Sequence, residues 1–254
     1  MGRMTPAERL LVGLGIAEPK DIDLDAIAWT QGAAVHYRPI DNCEATILGS
    51  KKRAVISVNS LSMRQRRRFS LGHELGHWHY DRGKVLFCGK NDVCNFRHDA
   101  LSPERRADDF ASDLILPNFM VLPRLRKMKR LTLAASRELA DEFDVSLTAT
   151  LVKMIALNHF PMVIVCHNRR DRVWYKTSPM IAEWWRPVRA LDDQTFAADM
   201  LLRGADEQNF PRKNPADAWF DFKGCDRYEV EEQSFLLPDE EILTVLTLPR
   251  QAIA

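Results

Sequence analysis

Apolar positions in the first sixty residues recur at helical spacing and then in alternation. Residues 5–14 and 24–31 read as short helices, interrupted by Gly15 and the region of Pro19. Residues 34–39, 44–50 and 53–59 alternate apolar and polar side chains, which predicts three strands of a small sheet, with Lys51 and Lys52 in the turn between the last two. A helix is expected from about Ser62 to Tyr80, opened by a capping box of Ser62 and Gln65. Mixed polarity, Gly89 and two asparagines make residues 84–101 read as a long loop. Ser102-Pro103 then supplies a cap residue followed by proline in the first helical position, and that helix should end before Pro117.

Residues 131–158 predict two helices around a tight turn. Beyond Pro161 the pattern becomes strand-like at 161–167, 172–178, 228–237 and 241–249, with one helix at 194–203. The fold class expected is α+β: a small N-terminal sheet packed on a helix pair, a helical helix-turn-helix-like subdomain, and a β-rich C-terminal domain. The boundaries read as 1–120, 121–159 and 160–254.

Composition narrows the function classes. The chain has 254 residues with 46% hydrophobic and 28% charged positions, enough apolar material for a core without staples. Its net charge of +1 gives no global attraction to nucleic acid or anionic membrane. Five cysteines, odd in number and mostly far apart, do not form a secreted disulfide framework, so a reducing cytoplasm is expected. No apolar run approaches a membrane span, and the N-terminal stretch lacks the features of a signal peptide.

The candidate chemistry lies in His73-Glu74-Leu75-Gly76-His77. Helix positions four apart lie one above the other, so both imidazoles can face one zinc ion. Glu74 sits about 100° around the helix from His73. There it is close to the metal without being a ligand, in place to take a proton from water and pass it to a leaving amine. Leu71, Leu75 and Trp78 form a separate apolar stripe. Gly72 and Gly76 each weaken the helix by on the order of 1 kcal/mol, which is reasonable only where something must approach closely. A catalytic zinc takes three protein ligands and leaves one position open. Glu104 is the candidate third ligand, in the first turn of the next helix, with the small residues Ala107 and Ala111 on its face. Asp108, one turn further, is placed to accept the second ring N–H of a ligating histidine.

The segments around Arg68-Phe69-Ser70-Leu71, the His-Glu-x-x-His run, and Glu104, Ala107, Phe110, Ala111 and Pro117 resemble the ImmA/IrrE family of metallo-endopeptidases, a gluzincin-like group. The likeness extends over about residues 5–158 and is densest over 66–117. Asp108 stands where the family often has asparagine. The resemblance implies His73, His77 and Glu104 as ligands of one zinc per chain and Glu74 as catalytic base. It also implies a helix-turn-helix repressor of the Xre type as protein substrate, whose cleavage relieves repression in a stress, mobile-element or toxin–antitoxin circuit.

Weaker candidates surround this core. His79, Tyr80 and His98 are considered as oxyanion or substrate contacts, although His79 and Tyr80 can equally just finish the helix. Cys88 or Cys94 could regulate the metal, with ordinary free cysteines as the simpler reading. Arg64, Arg66, Arg67 and Arg68 are expected to form a mostly solvated face. Glu229, Glu231 and Glu232 are read as the solvent face of a strand. The helix pair at 136–157 offers only Lys153 where a DNA reader needs several polar or basic side chains, so direct DNA binding is not expected. Two other functions compete: a helix-turn-helix DNA-binding regulator with a structural zinc, and a module that binds a repressor without cutting it.

Overall fold

The computed structural model describes residues 4–82 and 102–253. The expected loop at 84–101, with Cys88, Cys94 and His98, lies outside the described residues. The chain is a mixed α+β protein with eight α-helices and two sheets among the described residues. It divides into two compact units, Met1–Arg124 with Leu139–Ala149, and Leu125–Glu138 with Thr150–Ala254. No described helix is long and apolar enough to cross a membrane.

The first unit opens with α1 (Pro6–Gly13) and α2 (Leu24–Thr30). Both start on side-chain caps: Thr5 and Glu8 form a reciprocal box, and Asp23 accepts from the Ala26 N–H at 3.0 Å. Strands β1 (Ala33–Arg38), β2 (Ala45–Gly49) and β3 (Ala54–Asn59) follow. The sheet order is β1-β3-β2, with β3 parallel to β1 and antiparallel to β2. One face of β3 buries Ala54, Ile56 and Val58, the expected alternation.

Helix α3 (Arg64–Tyr80) leaves the sheet directly after β3, and α4 (Pro103–Ile115) runs against it. The apolar stripe of α3 is buried, and Trp78 donates its indole N–H to the Gln31 carbonyl at 2.8 Å. The capping box expected at Ser62 is absent. The helix starts one position later than expected, with Met63 as its N-cap, and the Ser62 hydroxyl donates to the Glu44 carboxylate beside β2. A methionine side chain has no oxygen to accept from the first-turn N–H groups, so this end of α3 goes without a side-chain cap.

The arginines at the start of α3 are tied down rather than simply solvated. Arg64 and Arg68 both reach Asp144, at 2.7 and 3.3 Å, and Arg67 lies over the Tyr37 ring. Helix α4 starts as expected, with Ser102 accepting from the Arg105 N–H at 3.0 Å and Pro103 next to it.

Three helices carry residues of both units. Helix α5 (Asn118–Lys127) escapes the sequence reading because Pro117 precedes it and Pro123 sits inside it. Proline removes one ladder hydrogen bond, but the burial of Met120, Val121 and Leu125 outweighs that loss. Helices α6 (Leu133–Phe143) and α7 (Leu147–Leu157) match the expected pair. Asp144 makes the turn with φ +53°, and Ala140, Val145 and Leu151 are buried.

In the second unit β4 (Met162–His167) is buried along its whole length. It lies between β5 (Arg172–Thr177) and β8 (Glu241–Thr247) in the antiparallel order β5-β4-β8-β7-β6, where β6 is Arg212–Pro215 and β7 is Glu229–Leu237. Strand β6 is short and polar and ends in proline, which suits an edge but gives no sequence signal. Helix α8 (Phe196–Arg203) covers this sheet beside Trp185, Trp219 and Phe220.

The solvent-face reading of the β7 glutamates is overturned at Glu232, which is fully buried. Its carboxylate accepts from Ala197 N–H at 2.7 Å, Trp219 Nε1 at 2.8 Å and Asn214 Nδ2 at 2.9 Å. Strand parity puts Glu232 on the inner face with Val230. Glu229 and Glu231 keep to the outer side and pair with Lys213 and Arg130.

Candidate metal centre

Two helices pressed together build the site. At Gly76 an added Cβ would lie 2.8 Å from the Ala107 Cα, and at Gly72 it would lie 3.2 Å from the Ala111 Cβ. The glycines that weaken α3 thus admit the backbone of α4. Replacing Gly76 with alanine should destabilise the first unit by up to about 2 kcal/mol. Overpacking costs roughly 1–3 kcal/mol, and the better helix propensity returns about 1. Thermal unfolding checks the stability. Metal affinity should fall with it, because Ala107 is one turn from Glu104.

That close approach brings three ligand-type atoms together. His73 Nε2 and His77 Nε2 are 3.0 Å apart, and Glu104 Oε2 lies 3.2 Å from the first and 3.3 Å from the second. The histidines are buried and Glu104 is partly buried. His73 Nδ1 is 2.8 Å from Asp108 Oδ1, so the ring donates from Nδ1 and turns the Nε2 lone pair toward Glu104.

A proton on His77 Nε2 could satisfy one of the three contacts. It would leave the His73 lone pair facing a carboxylate oxygen. The cluster therefore requires positive charge at its centre, either extra protons or a cation. Around an ion with ligands at 2.0–2.1 Å, a tetrahedral edge is about 3.3 Å. The observed triangle fits that size, and His73, His77 and Glu104 could hold a metal ion.

The charges agree with this geometry. Burial raises the Glu104 pKa, but hydrogen bonds and charge from His73 and His77 outweigh it and hold the carboxyl well below the usual range. Glu74 is fully buried, and neither carboxylate oxygen has a hydrogen-bond partner among the described residues. Burial pushes its pKa up, while the two imidazoles pull it down and Glu104 adds to the rise.

Asp81 has no place in the sequence reading, although its spacing of four from His77 puts it on the same face. It is buried, 3.9 Å from His77 Nδ1 and 3.4 Å from Arg106 Nη2. Asp108→Ala should weaken metal binding about 10- to 100-fold, measured by titration against a competing chelator.

The structure does not bring the other candidates to this cluster. His79 is exposed and stacks on Phe110 at 5.0 Å, about 200° around α3 from His77. Tyr80 also packs on Phe110, beneath the Arg106 guanidinium. His98 lies outside the described residues.

A search of curated proteins finds no match. Among solved structures, the chain resembles a Mycobacterium tuberculosis transcriptional regulator with a TM-score of 0.57. At 15% identity, over 96% of this chain and 86% of that one, the likeness is one of fold. The family model of the IrrE N-terminal-like domain, in the M78 peptidases, matches residues 29–154. That span runs from the end of α2 into α7 and includes the metal cluster, and over it the chain belongs to the IrrE N-terminal-like family of M78 metallopeptidases.

Proposed function

We propose that the chain is a zinc-dependent endopeptidase that cleaves a helix-turn-helix repressor of the Xre type and so relieves repression. The observation that carries the hydrolase reading is the His73, His77 and Glu104 triangle with the buried Glu74 carboxylate on the same helix. A zinc ion held by these three residues would polarise the scissile carbonyl and acidify water. Glu74 takes the proton from water and later delivers it to the leaving amine nitrogen. Both oxygens lack a hydrogen-bond partner among the described residues, which suits them to that transfer. Asp108 fixes the His73 tautomer, and Asp81 lies beside the outer nitrogen of His77. The repressor substrate rests on the resemblance described above.

The test is co-expression with a helix-turn-helix repressor encoded nearby, scored for fragments. Fragmentation should need Glu74 and should stop on chelation. The competing reading, a regulator with a structural metal, is favoured only by the fold shared with a transcriptional regulator, and it gives Glu74 no task. A Glu74→Gln protein that keeps its metal and still relieves repression would decide for that reading.

A further inference from the structure

A second concavity opens on the side of α3 that faces away from the metal triangle. Its volume is about 290 Å³, close to the lower end for small-molecule sites. Arg64 and Arg68 line it from α3, roughly 140–180° around that helix from His73. Lys20, Asp23, Asp25 and Tyr37 complete the polar wall. Ile22, Leu24 and Leu71 give it a buried apolar floor.

The two acids are already engaged. Asp23 caps α2, and Asp25 accepts from the Tyr37 hydroxyl at 2.9 Å. The cations are not saturated. Arg64 and Arg68 share one oxygen of Asp144 through their Nε atoms. Each guanidinium carries five N–H donors, and their outer nitrogens make no hydrogen bond to protein among the described residues. Lys20 is exposed and makes no ion pair among the described residues.

We infer that this cavity binds a small organic anion, a phosphate monoester or a carboxylate joined to an apolar or aromatic body. The anionic group would sit against Arg64 and Arg68, which Asp144 already shows can converge on a single oxygen. Lys20 would add a third charge, and the body would lie against the exposed Tyr37 ring. The inference needs neither the metal nor peptidase activity.

Binding of phenyl phosphate, benzoate, inorganic phosphate and benzyl alcohol to the full chain, followed by calorimetry, tests it. Phenyl phosphate or benzoate should bind saturably, inorganic phosphate more weakly, and benzyl alcohol not at all. The stronger of the first two identifies the anionic group. The Arg64→Gln, Arg68→Gln pair should lose about tenfold or more in affinity, the scale of charge-assisted hydrogen bonds. Lys20→Gln changes only an exposed side chain and should still weaken binding. Asp144→Asn removes the internal competitor and should tighten it. No saturable binding of either aromatic anion up to about 10 mM, or affinity unchanged by the arginine and Lys20 substitutions, overturns the inference. Neither result bears on Glu74-dependent cleavage.

Discussion

Glu74→Gln should reduce peptide hydrolysis about 10²- to 10⁴-fold, the range for losing a general base, while the protein keeps its metal. The same substitution should make the metal-free protein more stable at neutral pH. Burial raises the native pKa of Glu74 above its ordinary value of 4.5. Below that value the side chain is protonated in both the folded and unfolded chains. As pH rises toward the native pKa, the unfolded chain ionises first and the wild type loses stability. Glutamine does not titrate, so the variant's advantage should be larger at pH 8 than at pH 5. Thermal unfolding of chelated proteins at the two pH values measures it, alongside turnover and bound metal. A variant that is inactive because it is unfolded would lose stability at both pH values, and that outcome would sink the reading of Glu74 as a group held for chemistry.

Glu232→Ala should cost the second unit about 3–5 kcal/mol. It strips the acceptor from Trp219 Nε1, Asn214 Nδ2 and Ala197 N–H at once, and a buried donor without a partner costs roughly 1–3 kcal/mol. The thermal transition of that unit should fall by about 12–20 °C. Glu232→Gln should cost less, because one carbonyl oxygen remains, although its NH₂ must then face a donor. Neither change should alter metal affinity, since every partner of Glu232 lies in the second unit. A loss below about 1 kcal/mol for the alanine variant would mean that water replaces the carboxylate at little cost.

The metal triangle was legible because helical period and cap chemistry are local. Four-residue spacing put His73 over His77, and Ser102-Pro103 placed Glu104 in a first turn. Asp81 followed the same period and could have been read from it. Glu232 was half legible. Strand parity set it on Val230's side, but its partners come from 13 to 35 residues away, and nothing local announces them. Ser62 is misread by one position, since the helix starts on Met63, and its hydroxyl donates to a carboxylate 18 residues earlier in sequence. The order β1-β3-β2 was also beyond local pattern, since alternation marks strands without saying which will be neighbours.

That strand order constrains how the chain can be assembled as it is synthesised. The first two strands are not hydrogen-bonded to each other; each pairs with the third. Until Ala54–Asn59 emerges, both lack the partner they have in the finished sheet. The histidine helix follows within five residues of that missing strand. A nascent chain therefore cannot hold a finished ion site on a half-built scaffold. The strand that closes the sheet and the helix that carries His73 and His77 arrive almost together, and Glu104 must still come from the helix after that.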